Sequence, residues 1–97
     1  MKEEVLLQCF KGLNDATRLK IVGMLKDGEW CACDLLEHLN ISQSTLSHHM
    51  KLLSDCGLIE VRKESKWAYY TINKETMVEL ERYFQSFASI VERRREC

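Results

Sequence analysis

The segment from Ser42 to Ile59 constrains the fold of this chain most, because it predicts a short amphipathic helix followed directly by a β-strand. Leu46, Met50 and Leu53 recur at helical spacing and predict a buried stripe. Ser42 is expected to cap the helix, which leaves free backbone N–H groups that suit a phosphate. A solvated surface face is the alternative, since such amphipathic helices are common. A second face of the predicted helix is rich in donors and nearly free of carboxylates: Ser44, Ser47, His48 and Lys51.

Another predicted helix precedes this segment and is joined to it by very few residues. Residues 34–39 repeat leucine at helical spacing, and Asn40–Ile41 leaves room only for a tight link. Residues 30–33 before it are expected to be extended. Two helices with so short a turn, the second carrying the polar face, are typical of a helix-turn-helix.

Two further helices are predicted upstream. One covers residues 3–12, where Gly12 is expected to end or kink it, and the next covers residues 15–26, where Asp15 is expected to be the N-cap. The second helix is expected to turn five apolar residues to the core: Leu19, Ile21, Val22, Met24 and Leu25.

A β-hairpin is predicted after the amphipathic helix. Residues 58–62 and 67–72 have the composition of strands, and residues 63–66 form the polar tip between them. Beside a helix-turn-helix, such a hairpin is a wing. Charged hairpin tips also occur for solubility alone, but three cations here could reach a phosphate backbone: Arg62, Lys63 and Lys66. One face of the second strand is expected to pack on the core through Ala68, Tyr70 and Ile72.

The last predicted helix runs from Lys74 to Arg95 and carries a narrow apolar stripe. The stripe consists of Met77, Leu80, Phe84, Phe87 and Val91, spaced as in the seam of a helix pair. A narrow stripe favours a partner helix, most simply that of a second copy, with the first helix in the same interface. This helix contains no histidine, so no zinc site is expected on it.

Composition limits the class of protein. The 97 residues are enough for one small domain, residues 1–97, and the net charge of −1 gives no general attraction to nucleic acid. No stretch has the pattern of a membrane span or a signal peptide, so a cytoplasmic location is expected. In that compartment, the five cysteines favour thiolate chemistry or simple burial over a disulfide framework.

Four motifs stand out along the chain: Asp15-Ala16-Thr17-Arg18-Leu19, Cys31-Ala32-Cys33-Asp34-Leu35, Ser47-His48-His49-Met50-Lys51 and Gly57-Leu58-Ile59. Together with the order of the elements, they resemble the ArsR/SmtB family of winged-helix metalloregulatory repressors. The resemblance implies a mainly α-helical fold with a β-hairpin wing, and a homodimer formed through the first and last helices. It also implies binding to double-stranded operator DNA of inverted-repeat symmetry and release when a toxic metal or metalloid binds.

On this interpretation the DNA-binding residues fall into two groups. Gln43, Ser44, Thr45, Ser47 and His48 are expected close to base edges or phosphates, while Lys51, Arg62, Lys63 and Lys66 are expected on the backbone. His49 is expected in a structural position at the edge of the core.

The Cys31/Cys33 pair is similar to the motif of sensors for trivalent arsenic and antimony. Residues two apart on a regular helix point about 200° apart, whereas in extended chain they point the same way. A thiophilic ion held by both thiolates is therefore expected to prevent or distort the first turn of the following helix. Some arsenic sensors have a further cysteine where this chain has Leu36, so the third ligand is open between Cys9, Cys56, Cys97 and an oxygen; one family arrangement pairs Cys9 with Cys56.

Several alternative functions remain open at the level of sequence. On the same fold, the inducer could be cadmium or lead in place of arsenite or antimonite, or the Cys31/Cys33 pair could respond to thiol oxidation. A small thiol enzyme is disfavoured, since there is no Cys-x-x-Cys and no alternation of strands and helices. A winged helix that binds only protein is favoured by the weak basicity and would lack a salt-dependent affinity for DNA.

Overall fold

The computed structural model describes residues 1–90 and contains, in that part of the chain, five helices and three strands. In chain order they are α1 (Glu3–Leu13), α2 (Ala16–Leu25), β1 (Trp30–Cys31), α3 (Ala32–His38), α4 (Gln43–Asp55), β2 (Ile59–Glu64), β3 (Trp67–Ile72) and α5 (Lys74–Ala88). The predicted mainly helical fold with a hairpin wing is confirmed, and α3 with α4 forms the helix-turn-helix. None of the described helices is both long and apolar enough to cross a membrane.

Side-chain caps of oxygen-bearing residues fix where α2, α4 and α5 begin. The Asp15 carboxylate accepts a hydrogen bond from the backbone N–H of Arg18 at 3.0 Å, and this bond lowers the pKa of Asp15. Ser42 Oγ accepts from Thr45 N–H at 3.1 Å, and Asn73 caps α5 in the same way. Both predicted caps are confirmed, so α4 begins where the sequence places it.

The apolar stripe of α4 lies in the centre of the molecule. Leu46, Met50 and Leu53 are each at most 2% exposed, as predicted. They share one core with Leu35 of α3 and Ile21 of α2. Burial of such a side chain is worth about 1.5–3 kcal/mol, so the core fixes the rotation of α4 and turns its polar face outward.

The small sheet is antiparallel, with β3 between β1 and β2. Strand β2 runs to Glu64, two residues beyond the predicted end, so the predicted four-residue tip is wrong and the turn consists of Ser65–Lys66. Ser65 makes this tight turn possible by adopting a positive φ of 56°. Tyr70 and Ile72 pack on the core as predicted, and burial raises the pKa of Tyr70.

Two predictions about the first helices are wrong. Gly12 does not end α1, which continues to Leu13, and its missing side chain instead lets Cys56 approach closely. Leu19 is 59% exposed. The core face of α2 is set by Ile21 and Leu25, one turn apart, and a residue two positions before Ile21 points away from it.

The last helix is shorter than the sequence suggested. It ends at Ala88, with Ser89 as its C-cap, because the backbone leaves the helical conformation there. Val91 and Arg95 of the predicted helix, and also Cys97, lie outside the described residues. Within α5 only Leu80 is buried, whereas Phe84 is 53% exposed, so the stripe divides into a part that packs on the core and a part that faces outward.

Candidate nucleic-acid interface and thiol site

The polar face of α4 is exposed along its length. The six α4 residues predicted to contact DNA are all solvent-exposed: Gln43, Ser44, Thr45, Ser47, His48 and Lys51. At the start of the helix, Ser42 Oγ lies 2.9 Å from Thr45 Oγ1 and 3.2 Å from Ser44 Oγ. Lys51 is exposed but lies 3.1 Å from the Asp55 carboxylate. The face therefore presents hydroxyl and amide donors. Its one lysine, Lys51, forms an ion pair with Asp55 one turn further along α4.

An arginine braces α4 from behind. Arg18 Nε donates to the carbonyl of Gly12 at 2.7 Å, and its Nη1 lies 3.1 Å from Nδ1 of His49. Because a guanidinium has only donors, Nδ1 of His49 is the acceptor in this contact. This contact joins α1, α2 and α4, as expected from a structural role for His49.

The wing is less cationic than its sequence suggests. Arg62 makes hydrogen bonds to both Glu29 and Glu64 and stacks over the ring of Tyr69, with Cζ 4.5 Å from its centroid. The two carboxylates raise the pKa of Arg62. Among the described residues no salt bridge involves Lys63 or Lys66, so these two lysines are the cations available to a backbone phosphate.

Cys31 and Cys33 lie side by side at the start of α3. Cys31 is the N-cap and Cys33 is already helical, so the prediction of extended chain through Cys33 is wrong. Their Sγ atoms are 2.7 Å apart nevertheless, since the side chain of an N-cap folds back over the first turn. Cys31 Sγ also accepts from Asp34 N–H at 3.4 Å. The hydrogen bond with Cys33 raises the pKa of Cys31.

A carboxylate completes this cluster. One ligand atom each from Cys31, Cys33 and Asp34 lies within 4.8 Å of the others, with the two last residues exposed. Sequence reasoning left an oxygen open as the third ligand without naming Asp34. The sequence nevertheless contains a signal for it. Asp34 is the third residue of α3, and a side chain at that position lies beside the N-cap side chain.

Cys9 and Cys56 meet elsewhere in the molecule. The buried Cys9 thiol donates to the carbonyl of Cys56 at 3.5 Å, and burial together with the neighbouring Cys56 raises its pKa. Neither belongs to the cluster of Cys31, Cys33 and Asp34. The two therefore form a separate pair between α1 and the end of α4, where the weakly acidic Cys9 thiol is of low reactivity.

Comparison with known proteins agrees with this architecture. The family model described as bacterial regulatory protein, arsR family, matches residues 15–61. An arsenical resistance operon repressor of Staphylococcus aureus is 48% identical over 73 residues, which cover 75% of this chain and 70% of that protein. A cadmium resistance transcriptional regulatory protein, a CadC homolog of Staphylococcus aureus, is 42% identical over 73% of this chain and 60% of its own length.

Solved structures show the same fold. A possible ArsR-family regulator from Mycobacterium bovis, described as a homodimeric winged helix-turn-helix DNA-binding domain, superposes with a TM-score of 0.72. It is 27% identical, and the match covers 88% of this chain and 79% of that one.

Proposed function

This chain belongs to the arsR family of bacterial regulatory proteins, and we propose that it is a dimeric repressor of a metalloid-resistance operon which leaves its operator when trivalent arsenic or antimony binds Cys31 and Cys33. The observation that carries the proposal is the thiol pair at the start of α3. α3 is the helix that packs against α4 in the common core, so a change at this pair acts on the DNA-reading helix.

Repression rests on the exposed face of α4 and on the wing. In a two-fold dimer, two such helices about 34 Å apart enter successive major grooves. Gln43, Ser44, Thr45, Ser47 and His48 then lie near base edges or phosphates, while Lys51, Lys63, Lys66 and, once freed from its carboxylates, Arg62 contact the backbone. Such a repressor acts in the cytoplasm, where its operator is.

The dimer is supported by an exposed aromatic cluster. Phe10 of α1 lies 5.9 Å from Phe84, and Tyr83 lies 5.1 Å from Phe87 between ring centroids. Phe84 and Phe87 are both more than half exposed in the single chain. Aromatic side chains in such a patch favour an interface, and the Mycobacterium bovis relative is a homodimer.

Release of the operator is explained by the role of the Cys31 thiol in the protein without inducer. Its Sγ accepts the N–H of Asp34 and so caps α3. Bonding of Cys31 to arsenic competes with this cap, and the helix start must adjust. A difference of about 5.5 kcal/mol between the two states of the protein is enough to move a population from 1:99 to 99:1. The Asp34 carboxylate, with an oxygen within 4.8 Å of both sulfur atoms, is an oxygen donor for a third position.

A sensor of cadmium or lead is the second candidate. It is favoured by the carboxylate in the cluster, because two thiolates and an oxygen suit a soft divalent ion, and by the name of the CadC homolog. Competition between arsenite and cadmium for release of the DNA separates the two.

The test is fluorescence anisotropy of the reduced protein on the DNA upstream of its own gene, with arsenite titrated in. A variant carrying Cys31→Ser and Cys33→Ser is run in parallel. Release of the wild type but not of the variant supports the proposal. If both proteins bind DNA and neither responds to arsenite or antimonite, the repressor remains and the inducer assignment fails.

A further inference from the structure

A cleft of about 590 Å³ lies between α2, β3 and the start of α5. The described residues that line it come from these three elements and from the turn after α2, and they do not include Cys31, Cys33 or any residue of α4. Sites for small organic ligands commonly have volumes of about 300–1,000 Å³ and mostly apolar walls. The apolar part of this wall consists of Val22, Leu25, Ile72 and Met77.

The apolar wall is fixed by the core, whereas the space in front of it is open. Leu25 is only 2% exposed, and Val22, Ile72 and Met77 pack against the same core. Gly23 of α2 also lines the cleft, and a Cβ at that position would have no heavy atom within 4 Å. The cleft therefore combines a wall that cannot collapse with room beside the helix for a ligand.

Two cations border this apolar wall without an acidic partner. Lys26 and Lys74 both line the cleft, and both are exposed. Among the described residues neither lysine forms a salt bridge, and none of the lining residues is acidic. An ammonium group can donate three hydrogen bonds and attracts an anion. The cleft is therefore complementary to a molecule that has an apolar body and an anionic head group.

We propose that this cleft binds an amphipathic carboxylate, a small organic acid whose apolar body lies against the wall and whose head group meets Lys26 and Lys74. A nucleic-acid backbone would use the two lysines but would leave the apolar wall in water. A second copy of the chain is expected on the aromatic cluster of Phe10, Tyr83, Phe84 and Phe87, and none of these four residues lines the cleft.

The elements around the cleft support the DNA-reading surface. β3 pairs with β2 of the wing on one side and with β1, which ends at Cys31, on the other. α2 carries Arg18, which contacts His49 of α4. A bound acid would therefore touch these supports without touching the thiol pair. Its binding is expected to be unchanged by Cys31→Ser with Cys33→Ser, so the result does not depend on the identity of the inducer.

Amide NMR of the full chain with decanoate as the probe tests the proposal. The decanoate is kept below the concentration at which it forms micelles. Gly23 and Gly28 line the cleft, whereas Gly12 lies beside Cys56 and serves as the internal reference. The signals of Gly23 and Gly28 are expected to shift as decanoate is added, and that of Gly12 is not. Decanol has a similar apolar chain without the charge and is expected to bind about tenfold more weakly.

Because fatty acids also adsorb to exposed apolar surface, the decisive comparison is between variants. The double variant Lys26→Ala, Lys74→Ala is expected to lose about tenfold in affinity for decanoate and to keep its affinity for decanol within about twofold. Removal of two exposed lysines outside the cleft, Lys2→Ala with Lys20→Ala, is the matched control and is expected to change neither affinity.

A second pair of variants tests the apolar part of the cleft. Gly23→Leu places a side chain in the open space and is expected to abolish the decanoate-induced shift of Gly28, while Ala16→Leu at an exposed position of α2 is expected to leave it unchanged. Gly23→Met replaces Gly23→Leu if the latter does not fold. Equal affinity for decanoate and decanol, or unchanged decanoate binding in the double lysine variant, overturns the inference. Dissociation of a wild-type dimer by Gly23→Leu, measured by light scattering, also overturns it and assigns the cleft to a second copy.

Discussion

The Sγ atom of Cys31 lies 2.7 Å from the Sγ atom of Cys33, although Cys33 is within α3 and Cys31 only caps it. The regular-helix argument that separates residues two apart does not apply to this pair, because the cap residue has extended φ and ψ angles of −83° and 157°. The site is therefore formed together with the folded helix, and unwinding of the first turn is not a condition for bringing the thiols together.

Substitution of Cys31 separates its capping role from its sensing role. Serine caps helices well and alanine does not, so Cys31→Ser is expected to exceed Cys31→Ala in free energy of unfolding by about 1 kcal/mol. Both variants are expected to bind DNA and to lose the response to arsenite. Urea unfolding and DNA release by arsenite measure the two effects. Equal stability of the two variants would contradict the capping role.

The dependence of release on pH distinguishes the two classes of inducer. Arsenous acid is neutral and gives up water to the thiols, whereas a divalent cation displaces a proton from each protonated thiol it binds. The pKa of Cys31 is raised by its hydrogen bond with Cys33, so the thiol stays protonated through the neutral range. Cadmium affinity is therefore expected to fall as pH falls, by up to about tenfold per thiol and pH unit, while arsenite affinity stays level.

The measurement is the half-release concentration of each inducer between pH 6 and 8 at constant ionic strength. DNA affinity without inducer at every pH is the control. A steep pH dependence for arsenite would mean that protons, and not water, leave the site.

The lysines of the wing are expected to contribute more to DNA binding than its arginine. Lys63→Ala and Lys66→Ala each reduce the slope of log affinity against log salt by about 1. Arg62→Ala has a smaller effect because Arg62 must first leave Glu29 and Glu64. Anisotropy titrations at several salt concentrations give the slopes, with Lys74→Ala in α5 as the control.

Glu29→Gln tests the ion pair of Arg62 and Glu29 by removing its acidic partner. Removal of one carboxylate is expected to free Arg62 and to raise DNA affinity. The gain is small, since exposed ion pairs are worth about 0–1 kcal/mol. Unchanged affinity together with a full salt effect of Arg62→Ala would show that Arg62 reaches the DNA without leaving Glu29.

The sequence predicted what is set by local chemistry. The caps Asp15 and Ser42 and the buried stripe of α4 follow from residue type and spacing alone, and all were confirmed. The pairing of Arg62 with Glu29 was missed because the two residues are 33 positions apart and meet only when β1 joins β3. Asp34 was missed for a different reason. It joins the thiols only because the side chain of Cys31, the N-cap, folds back over the first turn of α3, and the spacing of residues in the sequence does not reveal such a fold.

An aromatic patch predicts how the chain associates. Phe84→Glu places a charge in the exposed cluster of α1 and α5 and is expected to turn the dimer into a monomer and to weaken DNA binding. Leu19→Glu is the matched control, because Leu19 is 59% exposed and Phe84 53%. Light scattering after size exclusion gives the mass of each. A dimer that survives Phe84→Glu, or that Leu19→Glu dissociates, would place the interface elsewhere.

Gly12 and Cys56 form a contact whose energy can be isolated by a pair of substitutions. A Cβ at position 12 would lie 3.0 Å from Cys56 Sγ and 3.4 Å from Leu58 Cδ1, so Gly12→Ala is expected to lower the free energy of unfolding by about 1–3 kcal/mol. In a Cys56→Ala background the sulfur is gone, and Gly12→Ala is expected to cost far less there.

Gly23→Ala, at a helical glycine with open space around it, is the control and should stabilise the protein by about 0.5–1 kcal/mol. Urea unfolding at one fixed protein concentration measures all of these, because a dimer's stability depends on concentration. Equal losses from Gly12→Ala with and without Cys56 would assign the crowding to Leu58 instead of the thiol.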